Sequence, residues 1–343
     1  CGSGYGYGGC GCNSCAPCNS TQYAWEVAWW GLDHDVNDYT RTDELTGATS
    51  HMYGMQNFNG AEYDKGSTGT WRPVNDYYDY QMPINTAPPY ANGTEIVLAQ
   101  RVYTNFSAQN LELNIMRFPV CDSGCGGCNS GCGSSAYDTC GCNSGCGCCQ
   151  APKSSLTMYG SCGVRYFRTD DDFSFDTEAA TADGAGGYDK TMPTGDFDVC
   201  YDVNIDNNLI GPQIGWTTDY CVCCRWNFFW NSTFGIFGNH IDQSQRLWSP
   251  NGDVRFQQSG DSVDIHNSRN DIAFLGELRA GCSYDINCHW RAVMAYRAIA
   301  MTGVATAFGQ IPDNFANENT VAHINTDNSL VIHGVQTGFE CRY

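Results

Sequence analysis

The feature that most limits the fold is a two-residue alternation of apolar and charged side chains, which recurs along most of the chain. Successive side chains of a strand point to opposite faces, so period 2 marks β-structure, whereas an amphipathic helix repeats at about 3.6 residues. The pattern is carried by the runs 22–32, 94–106, 109–118, 155–168, 197–206, 209–220, 225–238, 270–283, 287–304 and 329–343. Helical periodicity is almost absent. Asp206-Asn207-Asn208 and the stretch from Ser283 to Asn287 read as hairpin connections. The stretches 33–93, 169–196, 239–269 and 305–328, rich in Asp, Asn, Gly and Thr, read as long loops. Short turns at one end and long loops at the other predict an all-β fold, a single antiparallel up-and-down β-barrel of about ten strands (roughly eight to twelve). A length of 343 residues suits one such unit.

The alternation sorts residues into two faces. In 287–304, Trp290, Ala292, Met294, Tyr296, Ala298 and Ala300 share one face, opposite His289, Arg291 and Arg297. In 270–283, Ile272, Phe274, Leu278 and Ala280 oppose Glu277 and Arg279, and in 22–32 Tyr23, Trp25, Val27 and Trp29 oppose Glu26. A soluble sandwich would turn the charged face to water; a membrane barrel would turn it to the lumen. Arginine and glutamate are nearly balanced on that face although the chain carries a net charge of −20, and buried charges must be paired. A lumen is therefore expected, holding an ion-pair network of Glu26, Arg101, Glu112, Arg165, Glu277, Arg279, Arg291, Arg297, Glu340 and Arg342. Trp25, Trp29, Trp30, Trp216, Trp226 and Trp290 suit interfacial girdles on the outer wall. The last run alternates Val331, His333, Val335, Thr337, Phe339, Cys341 and Tyr343, and Phe339 with Tyr343 reads as a barrel-closing strand that ends on a terminal aromatic.

The segments GSCGVRYFRTDDDF, NNLIGPQIGW, FGIFGN, HWRAVMAYRAIAMTGVA and LVIHGVQTGFECRY, in that order, resemble the planctomycete putative β-barrel porin family. The resemblance covers 155–343 together with 22–32. It implies an outer-membrane-type barrel and does not by itself imply transport. The chain departs from that pattern in its cysteines.

Of the 22 cysteines, Cys1, Cys10, Cys12, Cys15 and Cys18 crowd residues 1–20, and Cys121, Cys125, Cys128, Cys132, Cys140, Cys142, Cys146, Cys148 and Cys149 crowd an insertion at 119–152. Both segments share a Gly-Cys-Asn-Ser repeat and are too poor in apolar residues to pack unaided. Disulfide stapling is the favoured reading and a metal–thiolate cluster the other, since the zinc-site spacing is loose and no histidine lies beside the cysteines. Five and nine are odd, so complete pairing requires each segment to bond outside itself. Cys200, Cys221, Cys223, Cys224 and Cys288 are further candidates for such bonds, and Cys162, Cys282 and Cys341 fall on the outward face. So many cysteines place the protein outside a reducing cytosol, and a leader removed ahead of Cys1 is expected. The domains expected are thus a 1–20 cysteine-rich segment and a 21–343 barrel.

Several classes are excluded. The acidic balance opposes nucleic-acid binding, and no apolar run is long enough for a transmembrane helix. The seven histidines are scattered, without an HxxEH or GxSxG pattern, so an enzyme is not expected and no cofactor is implied. Asp170, Asp171 and Asp172, in the stretch read as a loop, are calcium candidates, with an acidic solvated loop as the other reading. Asn19, Asn92, Asn105 and Asn231 head glycosylation sequons. Two roles remain: a structural barrel, cross-linked as a homo-oligomer or polymer at the cell surface, in a filament or against outer-membrane lipid, and a passive diffusion porin with a disulfide-stapled plug. A barrel of about eight to ten strands can be filled by its own side chains, which favours the first.

Overall fold

The computed structural model describes residues 20–42, 60–65, 72–73, 95–120, 155–181, 194–221, 226–250, 252–286 and 290–341. Its strands are β1 (Ser20–Thr42), β2 (Ala61–Lys65), β3 (Arg72–Pro73), β4 (Glu95–Val120), β5 (Ser155–Thr181), β6 (Val199–Cys221), β7 (Trp226–Trp248), β8 (Gly252–Phe256), β9 (Asp264–Asp285), β10 (Trp290–Val304) and β11 (Asn328–Cys341). Eight of them form one antiparallel sheet in the order β1-β4-β5-β6-β7-β9-β10-β11, and β3-β2-β8 form a small ribbon. The described residues contain no helix long and apolar enough to cross a membrane.

The expected count of ten falls to eight because two pairs of runs are single strands. Residues 94–106 and 109–118 join in β4, and 197–206 and 209–220 join in β6. Asp206-Asn207-Asn208 is not a hairpin: it lies mid-strand, paired to β5 and β7. Among the described residues β1 and β11 do not pair, so the sheet is a curled half-barrel and not the closed barrel expected. The two cysteine-rich segments lie outside the described residues.

Along each long strand the two faces exchange character. On β7 the outward positions 226–238 carry Trp226, Phe228, Trp230, Phe234 and Ile236, all exposed. At about 3.3 Å per residue and a tilt of about 40°, that run rises about 33 Å, enough to cross a hydrocarbon core of about 30 Å. The same outward row then turns polar, through His240, Asp242, Ser244 and Arg246. On β5 the outward row runs from Leu156, Met158, Val164 and Tyr166 to Arg168, Asp170 and Asp172. The inward row does the reverse. Beside the apolar belt it holds Arg165 and Gln213; beyond it come Phe173, Phe175, Tyr201, Val203, Ile205 and Ile241, one hydrophobic core. Below the belt boundary the outward row is apolar and the inward row polar, and above it the two are exchanged.

That core is completed by residues 305–327, read above as a loop. This segment carries a 3-10 turn (Phe308–Gln310) and a short helix α1 (Glu318–Val321), and it lies against the inner face of the sheet. Gly303, at φ +74°, turns the chain out of β10 toward it, a conformation glycine adopts without strain. Phe315, Val321 and Ile324 pack into the core, Phe315 edge-on to Tyr201 at 5.5 Å. Side-chain amides from the wall bind the backbone of the plug. Asn207 Nδ2 donates to Ala305 O at 2.8 Å, and its Oδ1 accepts from Ala305 N at 3.0 Å. Gln243 and Gln245 donate to Val321 O, Gln245 also to Gln310 O, and Arg269 to Ile324 O. These bonds satisfy backbone groups that an irregular buried segment would otherwise leave unpaired.

Candidate functional site

The polar interior at belt level centres on four charges. Arg165, on β5, is 1 % exposed. Its Nη2 lies 2.7 Å from Glu277 Oε2 on β9 and 3.2 Å from Glu112 Oε1 on β4. Arg297, on β10, places Nε 2.7 Å from Glu277 Oε1 and Nη2 3.5 Å from Glu112 Oε1. Strands sit about 4.8 Å apart, so β5 and β9 would be about 14 Å apart in a flat sheet, and β4 and β10 about 24 Å. Only a curled sheet lets these side chains meet. Amides occupy the remaining carboxylate lone pairs: Asn110 donates to Glu112 Oε1 at 2.8 Å, and Gln213 to Glu112 Oε2 at 2.9 Å. Asn114 links the cluster to Glu26 of β1 at 3.1 Å. The Arg297 guanidinium lies 4.5 Å from the Trp30 ring centre, and Trp30 meets Phe167 edge-on. On the belt's far side a second apolar cluster, with Phe167, Leu209, Phe237, Leu275, Ile299 and Met301, closes over the charges.

The structure thus brings Glu26, Glu112, Arg165, Glu277 and Arg297 together, with Arg279 at the β9 position that pairs across to Arg297, and it sets Arg101 and Arg291 apart. Arg101 is a correction: it points outward and pairs with Asp38 at 2.8 Å. It lies beyond the belt, where charge faces water, so the alternation holds and its meaning inverts. The hydrogen bond from Arg101 holds the Asp38 carboxyl below its usual range. Arg291 pairs with Asp285 at 2.7 Å, apart from the cluster, and Arg279 lies over the Phe229 ring at 5.1 Å. Trp30 is an inward residue, not part of a girdle. The side chain of Glu340, with Arg342 and Tyr343, lies outside the described residues, while Phe339 stands on the outer face.

Asp170, Asp171 and Asp172 cannot form one cation site, because the strand pleat sends Asp171 inward and its neighbours outward. Asp171 accepts from Ala307 N of the plug at 2.8 Å. Asp172 accepts from Asn105 at 3.0 Å and Asn204 at 2.9 Å. No group of three or more potential metal ligands exists among the described residues. Asn231 faces inward and donates to Thr217, and Asn19 and Asn92 lie outside the described residues. Cys162 and Cys282 are on the outer wall and Cys200 is buried beside Asp176; all three are free thiols, not intrachain disulfides. For the other cysteines the side chains lie outside the described residues.

Just above the belt, Asp170 and Asp206 share a hydrogen bond beside Arg168. Burial, then Asp170 itself, pushes Asp206 up to about 6. Burial opposes ionisation of Asp170 too, but bonds from Asp206, Arg168 and Ser107 hold it below the carboxylate range. Between pH 4 and 6 the folded chain therefore keeps a proton at Asp206 that the unfolded chain releases, so stability falls as pH rises through this window. Urea midpoints across about pH 4–7 are expected to show this slope, and Asp206→Asn to flatten it.

An antiparallel sheet with an apolar outer wall, an aromatic rim and a charge-paired interior belongs to the class of membrane β-barrel proteins. The family model described as putative beta barrel porin-7 matches residues 92–343. The chain belongs to that family, whose description points to an outer-membrane β-barrel. No curated protein matches it.

Proposed function

We propose that this chain is a non-enzymatic structural barrel of a bacterial outer membrane, a filled wall and not an open channel. The observation that carries this reading is the Glu112–Arg165–Glu277–Arg297 cluster, which spans the interior at belt level, between strands that a flat sheet would hold far apart. The amide-held plug of residues 305–327 supports it from above. In planar bilayers, insertion without stable conductance steps is the expected result; steps of fixed size that persist after insertion would overturn it. A diffusion porin is the second reading, favoured by the family's description. In the structural reading, the cysteines of residues 1–18 and 121–149 link neighbouring barrels into a surface layer or filament; in the porin reading, the segment 121–149 is a disulfide-stapled loop or plug. A denaturing gel of alkylated native material should show a ladder that collapses near 37.6 kDa on reduction.

A further inference from the structure

The two ends of the sheet differ in their cysteines. The register sets the start of β1 beside the end of β4 (Ser20 opposite Val120) and the start of β5 beside the end of β6 (Ser155 opposite Cys221). It sets the end of β9 beside the starts of β7 and β10 (Tyr284 opposite Trp226, Asp285 opposite Arg291), and Cys341 of β11 lies opposite Trp290. All of these positions form one rim, at the belt end of the sheet and away from the plug. Every cysteine outside the strands is joined to that rim. Residues 1–18 precede β1, 121–149 lie between β4 and β5, Cys223 and Cys224 between β6 and β7, and Cys288 between β9 and β10. Cys18, Cys121, Cys223, Cys224 and Cys288 are each within two residues of a strand end, so the chain holds them within about 7 Å of it. The connections at the plug end, 43–94, 182–198, 249–263 and 305–327, contain no cysteine. Cys200, near the start of β6, is buried.

We infer that the rim opposite the plug is the face through which this chain bonds to a second copy of itself, and that at least one cysteine there is bonded to its own counterpart. This rests on the cross-linked structural reading proposed above. Of the 22 cysteines, Cys162, Cys200 and Cys282 are free thiols, which leaves nineteen, all on the rim or in segments joined to it. Full oxidation among equivalent copies gives each of these positions a partner position, in the same chain or in another. Partner positions come in twos, and nineteen is odd, so at least one position has itself as partner. A residue cannot bond itself within one chain. The bond must therefore cross to a second copy, and a twofold, isologous contact is the arrangement that sets a residue against its counterpart. A head-to-tail contact alone, joining two different positions, leaves the odd count unresolved. In each bond formed, two thiols give up two protons and two electrons to a protein disulfide of an oxidising compartment, which leaves as a dithiol.

The test is disulfide mapping of native, unreduced material. Free thiols are alkylated, the chain is digested at acid pH, where thiolates are too few to exchange, and linked peptides are identified by mass spectrometry. The expected result is a linked pair of two identical peptides that carry a cysteine of 1–18, 121–149, 221–224, 288 or 341, lost on reduction, with Cys162, Cys200 and Cys282 recovered alkylated. Three other results overturn the proposal. One of the nineteen recovered alkylated, with no identical pair, would mean that the odd cysteine stays a free thiol. Links that contain Cys162 or Cys282 would move the contact to the outer wall. Thiols that react only after a chelator is added would mean a metal–thiolate cluster. A denaturing gel separates the two levels of failure: a ladder without the identical pair defeats the self-bonded rim alone. A single band near 37.6 kDa before reduction defeats cross-linking between barrels altogether.

Discussion

Replacing Arg165 by methionine is expected to destabilise the folded chain by about 3–5 kcal/mol, because it leaves Glu277 and Glu112 buried with half their counter-charge. The guanidinium makes the shorter contact to Glu112 of the two arginines that bridge the carboxylates on β4 and β9, and methionine keeps its approximate volume while removing every bond. Urea titration in detergent micelles measures the loss. Adding Glu277→Gln to the variant should recover part of it, since an amide leaves no uncompensated charge. The exposed Arg101–Asp38 pair provides the contrast: Arg101→Met should cost less than about 1 kcal/mol. Equal losses at both sites would mean that Arg165 faces water and that the inside and outside of the belt have been exchanged.

The second large effect is expected at Phe315. Its ring is 0 % exposed and packs edge-on to Tyr201, so truncation to alanine removes the centre of the contact between plug and wall. Large-to-small changes of this kind cost about 3–5 kcal/mol when the site cannot collapse. Here the wall residues are fixed by sheet pairing, which limits relaxation. The loss should be local as well as global. Protease cleavage within 305–327 should speed up in Phe315→Ala while the strands stay protected, because the segment then loses its largest apolar anchor and keeps only the amide bonds and the smaller contacts of Val321 and Ile324. An unchanged cleavage rate would mean that the apolar contact does not anchor the plug.

Much of this architecture is legible in the sequence. The alternation located all eight long strands of the sheet, and it put Trp25 and Met294 outside and Arg165 and Glu277 inside, where they stand, although Trp30, assigned to the outer girdle, turns inward. What it lacks is a sign. Period 2 says that two faces differ but not which one meets water, and the answer changes at the belt boundary, where Arg101 turns out and Val102 turns in. The turn residues misled for a related reason. Asp206-Asn207-Asn208 has hairpin composition, yet Asn207 is a buried amide that binds the peptide of Ala305, about a hundred residues later, a long-range partner that local propensity cannot register. Residues 305–328 looked like a surface loop because their polar side chains are common in loops. Here Gln310 bonds the backbone of Thr306 and Asn325, so the polarity supports burial. The acidic triplet shows the same limit, since a cluster in sequence is split by the pleat in space.

The position of the plug in the chain bears on the order of events during assembly. It is encoded between β10 and β11, yet its anchors (Asp171, Asn207, Gln243, Gln245 and Arg269) stand on β5, β6, β7 and β9. All of those strands precede it in the chain, and its binding surface exists once they have paired. Among the described residues the strand that follows, β11, contributes no hydrogen bond to that set. The stopper can therefore be seated before the last stave is set, so the interior is filled and its polar groups are satisfied while the sheet is still open along one side.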